Sequence, residues 1–460
     1  MTEMNQQSYL TKIDSLDRKG SGRAVVWRDT GQVNPKKLKL TIPQTIPGEQ
    51  VQVTVDDPEK RWVRVLADEI VESSEERVDP DCPHFNLCGG CIWQHWSYKG
   101  QLQEKTRHVK QFLANQGFDS SLVHDTMGME DPWRYRNKME FTFSADGELG
   151  LHEQGNFRKI IPLHTCLIAG KQMVDAALIV ANWAKDHQLS GYNKDKHEGL
   201  LRHLMVRQSF VTGELMLGLF ATEPPVAAVN DLIARVQTNC PEVKSLMWFE
   251  NRDWADRTQS EQAHQLAGRD FIYDDMLGYR YRLWFDTFFQ TNPTQATKLV
   301  ELALEMAQPK PNEKMIDLFC GVGTFSLPFA SKVGALAGIE IVETSIESAK
   351  RNAADNGISN TTFLAKDARH GIDQILEEFG APELLLLDPP RSGAGGKVMR
   401  RIGRAQPERI VYVSCNPETF AADIKELEPF GYQLIEVQPV DLFPHTMHVE
   451  CVALLLRVAE

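Results

Sequence analysis

No apolar run in this sequence is long enough to span a bilayer, and Met1 to Tyr9 lack the apolar core of a secretory signal. A soluble, cytoplasmic protein with no membrane partner is expected. Positive charge is also scarce. Lys and Arg number 50 against 63 Asp and Glu, a net charge of -13, which excludes a histone-like polycation. It leaves room for a local basic face, and a local face is what binds phosphate. Cysteine is sparse, with 8 in 460 residues. In a reducing compartment such residues serve metals or catalysis rather than disulfides. The dinucleotide fingerprint is missing too: the glycine turn at Gly321-Val322-Gly323 has no third glycine at the required spacing.

What remains is a folded composition, 42% hydrophobic and 25% charged, on a chain long enough for about three domains. Residues 8–71 carry short alternating runs (Ala24 to Trp27, Lys37 to Leu40, Val51 to Val55, Trp62 to Val65) between Gly, Pro and Asp turns. They predict a small OB-like barrel, a frequent nucleic-acid scaffold. Eleven basic and nine acidic residues make this stretch slightly positive within an acidic chain. Lys36, Lys37, Lys39, Lys60, Arg61 and Arg64 are its candidate RNA contacts; a plain solvated face is the alternative.

Cys82, Cys88 and Cys91 are spaced C-x5-C-x2-C with glycines between the last two. Such a segment can curl so that several thiolates face one metal, with Cys166 the nearest later cysteine. Spacing alone leaves both tetrahedral zinc and a [4Fe–4S] cluster open. His84 and His164 are weaker ligand candidates. A helix is expected from Ser97 to Gln116, with Lys99, Lys105, Arg107 and Lys110 among its polar positions. Trp133-Arg134-Tyr135-Arg136-Asn137-Lys138, ahead of the strand Met139 to Phe143, interleaves bases and aromatics as a polynucleotide-binding strand would.

From residue 278 onward strands and helices alternate, the pattern of a parallel doubly wound sheet. Asn292 or Thr291 is placed to cap a helix that Pro293 opens. Strands then end in Asp317-Leu318-Phe319-Cys320-Gly321, Glu340, Asp367, Asp388-Pro389-Pro390-Arg391 and Ser414-Cys415-Asn416-Pro417. An acid at the end of the second strand is placed for ribose hydroxyls, and acids at successive strand ends would line one nucleoside pocket. Cys415 sits at the mouth of the strand Ile410 to Val413, where such sheets do chemistry. A buried thiol there would instead be inert packing.

Taken together, these motifs with Phe288-Phe289-Gln290 and Phe443-Pro444-His445-Thr446-Met447-His448-Val449-Glu450 resemble the RNA uracil-C5 methyltransferases, over nearly the whole chain. The resemblance implies an α/β fold: a Rossmann-like class I methyltransferase domain (278–460), an N-terminal OB-like TRAM domain (8–71) and a central α+β domain (72–277). It implies S-adenosylmethionine as methyl donor, contacted by Gln290, Phe319, Gly321, Gly323, Glu340, Asp367 and Asp388. Thr324 and Asp367 depart from the pattern of some relatives. It implies a [4Fe–4S] cluster on Cys82, Cys88, Cys91 and Cys166, as in the 23S ribosomal RNA members, and hence action on ribosomal RNA; a monomer is expected. A tRNA enzyme and a non-catalytic iron–sulfur RNA binder are the alternatives.

The chemistry asks for the same residue types. Uracil C5 becomes nucleophilic only after a thiolate adds at C6, the role assigned to Cys415. A carboxylate must later remove the C5 proton, the role assigned to Glu450. The base must also leave its stack to be reached. Amine methyltransferases that share Asp-Pro-Pro follow it with an aromatic; here Arg391 follows.

Overall fold

The structure, a computed structural model, describes residues 6–28, 36–57, 60–254 and 260–458. The chain divides into two compact units, Met1–Glu104 with Phe443–Met447, and Lys105–Leu442 with His448–Glu460.

The first unit holds β1 (Gln7–Lys12), β2 (Ser15–Leu16), β3 (Gly22–Arg28), β4 (Lys36–Ile42), β5 (Gln50–Val55), β6 (Trp62–Arg64) and β7 (Glu69–Glu72). They form two small sheets, β1-β5-β7 and β2-β3-β4-β6. Period-2 alternation sets their faces. In β3, Ala24 and Val26 turn into a core with Leu38, Leu40, Val51 and Val53, while Arg23, Val25 and Trp27 turn out. The cysteine-bearing stretch after β7 is made of turns.

The second unit takes up most of α1 (Tyr98–Asn115) and is built on two large sheets. The first comprises β8 (Lys138–Phe143), β9 (Leu149–Glu153), β10 (Asn156–Pro162), β11 (Leu201–Gln208), β12 (Leu215–Ala221), β13 (Val243–Glu250) and β14 (Gln262–Gly268), in the order β10-β9-β8-β11-β12-β13-β14. The helices α2 (Lys171–Asp186) and α3 (Val229–Asn239) accompany it. A hairpin of β15 (Phe271–Met276) and β16 (Tyr279–Trp284) follows. The expected domain boundary at Gly278 falls in the turn of this hairpin, and residues on both sides of it belong to one compact unit.

The second large sheet carries the strand-end motifs. Its elements are α4 (Pro293–Ala307), β17 (Lys314–Leu318), α5 (Ser326–Ala330), β18 (Ala335–Glu340), α6 (Glu343–Asp355), β19 (Thr361–Ala365), α7 (Ala368–Phe379), β20 (Leu384–Leu387), α8 (Gly396–Ala405), β21 (Arg409–Ser414), α9 (Pro417–Lys425), β22 (Tyr432–Val440) and β23 (Glu450–Arg457). The order is β19-β18-β17-β20-β21-β23-β22. The first five of these are parallel, and β23 inserts antiparallel between β21 and β22. Strands covered on both faces read as unbroken apolar runs. Leu384–Leu387 is the clearest, with every residue buried. The switch point lies between β17 and β20, where the chain order reverses and open α/β sheets bind ligands beyond their carboxyl ends.

Lys105 lies where the helix pattern predicted a solvated base. It is instead fully buried, with Nζ donating to Asp441 Oδ1 at 2.6 Å. The interleaved segment 133–138 also departs from expectation. Arg134 Nη1 is spent on the Cys166 and Ala169 carbonyls, Tyr135 is core, and Lys138 pairs with Glu140. Among the described residues no helix is long and apolar enough to cross a membrane.

Candidate active site

Cys415 is placed by the end of β21 and the start of α9. Ser414 closes the strand, and the Asn416 side chain caps the helix by accepting the Glu418 N–H at 3.2 Å. Pro417 follows at the first helical position, where its missing N–H costs nothing. The proline therefore opens a helix as well as ending a strand. Asn292 and Pro293 repeat the device at α4, where Asn292, not Thr291, is the cap.

Glu450 opens β23, and the register sets it one residue beyond the last β21–β23 pair, Ser414 with Cys451. Nucleophile and base candidates thus come from neighbouring antiparallel strands. Glu450 is only 4% exposed. Burial, then the charge of Asp388, pushes its carboxyl up to about 8, with Arg391 pulling the other way. Burial, Glu450 and Asp388 push the Cys415 thiol up to about 12, again opposed by Arg391.

These interactions continue along the strand ends. Burial and Asp317 raise Asp388 to about 7. Asp317 is raised to about 7 by burial and by Glu340, against a hydrogen bond from Ser326 Oγ to Oδ2. Glu340, Asp317, Asp388 and Glu450 are therefore a connected series of acids reaching Cys415, and low dielectric keeps part of the series protonated at neutral pH. Asp317 belongs to the quoted strand motif but was not among the residues assigned a donor contact or a catalytic role. Its place in the middle of an apolar strand was the available signal.

The loop after β17 bends sharply. Phe319 has φ +67°, an uncommon conformation for a non-glycine residue, and its N–H and that of Cys320 both donate to the Ile339 carbonyl. Gly321 has φ +53° and open space where a side chain would begin. Glu340 Oε1 accepts the Val342 N–H at 2.9 Å. Gln290 is half-buried between β16 and α4. Asp367 caps α7 and pairs with Arg369 and His370, each contact using Oδ1. Burial opposes its ionisation, but those partners leave the carboxyl below its usual value. Of the two aromatics before Gln290, Phe289 is core against Tyr281, and Phe288 is 67% exposed.

The expected cluster ligands present a different picture. Cys82, Cys88 and Cys91 are half-buried on the turn-rich stretch of the first unit, and Cys166 is buried in the second. No disulfide links any of the eight cysteines. The Gly90 N–H donates to Cys88 Sγ at 3.3 Å. Among the described residues no group of three or more His, Cys, Asp or Glu side chains is gathered to hold a metal ion.

Comparison with known proteins agrees with the sheet and its motifs. The family model for tRNA (uracil-5-)-methyltransferases matches residues 261–458. A protein of Bacillus cereus described as an uncharacterized RNA methyltransferase is 36% identical over 93% of this chain and 94% of its own. One of Caldanaerobacter subterraneus subsp. tengcongensis, described likewise, is 35% identical over 96% of this chain and 97% of its own. Among solved structures, the Pyrococcus abyssi tRNA (uracil-54, C5)-methyltransferase in complex with S-adenosyl-L-homocysteine is 28% identical, with a TM-score of 0.75, covering 97% of this chain and all of that one. A non-catalytic binder is thereby set aside: the chain belongs to the RNA (uracil-5-)-methyltransferase family and is an enzyme.

Proposed function

We propose that the protein transfers a methyl group from S-adenosylmethionine to C5 of a uridine in 23S ribosomal RNA, with Cys415 as nucleophile and Glu450 as the final base. The observation that carries the reading is the meeting of Cys415 and a buried, proton-avid Glu450 at neighbouring strand ends. The Cys415 thiolate adds at C6, and the C5–C6 π electrons move into the ring as an enolate. C5 then takes the methyl group that the donor would supply, the S–CH3 bond breaking with its electrons returning to the donor sulfur. The Glu450 carboxylate removes the C5 proton, the double bond re-forms, and the C6–S bond breaks to return the thiolate.

S-adenosylmethionine supplies an electrophilic methyl on a sulfonium. Gln290, Phe319, Gly321, Gly323, Glu340, Asp367 and Asp388 would hold it. Two features support the fit: the open space at Gly321 and the charge of the cleft, whose acids complement a cation.

The RNA partner is read from residues 8–71. Lys37 and Lys39 project from β4, Lys36 and Arg61 are exposed, and so are Trp27 and Trp62, at 57% and 55%. Trp27 pairs with Lys37 and Lys39 with Trp62 in the register, and Lys37 Nζ stands 4.9 Å from the Trp27 ring centre. Cations beside stacking rings suit a single strand. A [4Fe–4S] centre on Cys82, Cys88, Cys91 and Cys166 belongs to the same proposal, supported by the C-x5-C-x2-C spacing and the N–H···S contact at Cys88. The methyl-transfer steps above make no use of the cluster. A cytoplasmic monomer completes the reading.

A tRNA substrate is the second reading, favoured by full-length likeness to the archaeal tRNA enzyme. Mapping 5-methyluridine in the rRNA and tRNA of a deletion strain separates them. Cys415→Ala tests the mechanism, and near-normal methylation by that variant would overturn it.

A further inference from the structure

We infer that His448 is a positioning residue that holds the Arg391 guanidinium between the Cys415 loop and the Glu450 strand, by accepting its hydrogen bond at Nδ1. The inference rests on the roles proposed for Cys415 and Glu450.

Arg391 leaves the Asp388-Pro389-Pro390 turn with its backbone already tied to the nucleophile loop. Its carbonyl accepts from Asn416 Nδ2 at 2.9 Å and from Thr419 Oγ1 at 3.4 Å. Its side chain is exposed, and Nη2 lies 3.0 Å from His448 Nδ1. A guanidinium has no acceptor, so the imidazole must accept at Nδ1 and keep its proton on Nε2. That requires a neutral ring. Burial and the charges of Arg391, Lys105 and Arg136 supply the neutrality, driving His448 down to about 4. His448 stands two residues before Glu450, so Arg391 is fastened to the nucleophile loop by its backbone and to the base strand by its side chain.

The position matters because Arg391 is the cation that favours the ionised form of both Cys415 and Glu450, where Asp388 disfavours both. Held in place, it lowers the cost of the thiolate that starts the reaction. Released, a long exposed side chain spends its charge in water.

The test uses the full-length enzyme, S-adenosylmethionine, and 23S rRNA and tRNA transcripts made with 5-fluorouridine. Fluorine at C5 cannot leave as a proton, so the adduct persists after methyl transfer and its rate reports the early steps alone. His448→Ala should slow adduct formation roughly tenfold to a hundredfold, the scale of a misplaced catalytic group, and should move its pH profile upward. His448→Asn puts Oδ1 where Nδ1 was and should restore most of the rate. His448→Gln puts its acceptor at the Nε2 place and should not. Arg391→Met should match His448→Ala, and the double variant should be no slower than either. Equal rates for the Asn and Gln variants, additive losses, or a wild-type rate for His448→Ala would overturn the inference while leaving the proposed function intact. Normal methylation by Cys415→Ala would remove both.

Discussion

Replacing Glu450 by glutamine keeps the shape of the buried side chain and removes its charge, so it divides the reaction at a known point. Burial raises this carboxyl from 4.5 to about 8. Ionising it at pH 8 or above therefore costs about 5 kcal/mol relative to water, as an upper limit. Two measurements follow. An acid whose folded-state value is raised keeps its proton in the native state after the unfolded chain has lost it. It therefore erodes stability as pH climbs from 4.5 toward 8. Glu450→Gln should thus be more stable than the parent at pH 8, by up to about 5 kcal/mol, and equal to it near pH 4, by urea denaturation. In catalysis the same variant should add to uracil and accept the methyl group, then stall. A methylated protein–RNA adduct should accumulate on denaturing gels, and turnover should fall roughly 10²- to 10⁴-fold, the usual worth of a general base. In the parent, the elimination step should quicken roughly tenfold between pH 7 and 9 as the base ionises. A Glu450→Gln enzyme that turns over normally and leaves no adduct would refute the assignment.

Asp441→Asn should destabilise the protein by about 3–5 kcal/mol in a denaturant titration, because Lys105 would stay buried without its counter-charge; Lys105→Met with Asp441→Leu should recover most of the loss. Binding of S-adenosylhomocysteine, which keeps the donor's ammonium group but lacks its sulfonium, should release fewer protons than S-adenosylmethionine near pH 7, since Asp317 and Asp388 titrate there and a nearby cation favours their ionised forms; calorimetry in buffers of different ionisation enthalpy reads the difference. Trp27→Ala and Trp62→Ala should each weaken RNA binding by about 1–3 kcal/mol if each ring stacks one base, with donor affinity unchanged.

The catalytic sheet was readable because its strands are short apolar runs that stop at polar residues. Leu384–Leu387 gives way to Asp388, and Ile410–Val413 to Ser414-Cys415-Asn416, so the strand ends could be marked without knowing the strand order. The cap of α4 and the glycine bend after β17 were readable for the same reason, being local. What was not readable depended on distant partners. Lys105 looks like any solvated helix lysine until Asp441, 336 residues later, is seen beside it. Arg391 and His448 are 57 residues apart, and neither one alone announces the other. Asp367 reads by sequence as a donor contact; the Arg369 backbone N–H donating to its Oδ1 makes it at least a helix cap. The turn at Gly278 shows how little composition says about boundaries, because a glycine turn inside a hairpin and one between domains read alike.

One burial serves two opposed needs at this site. A base that must abstract a carbon-bound proton benefits from a raised affinity, and a closed, acid-lined cleft gives that to Glu450. The same cleft pushes the Cys415 thiol to about 12, away from the thiolate that must form first. Proton transfer from this thiol to a neighbouring carboxylate is uphill, because burial and the charge of Asp388 disfavour the thiolate. The resting protein is therefore the wrong electrostatic state for attack, and positive charge must correct it. Arg391 is one source, and a cationic donor among the acids of β17, β18 and β20 would be another. Adduct formation on RNA should consequently be slow without donor or a cationic analogue and fast with one, even though the thiol addition itself consumes no methyl group. If a neutral donor analogue promoted the adduct as well as a cationic one, the coupling would be steric, and the acid series along the strand ends would have no part in the first step.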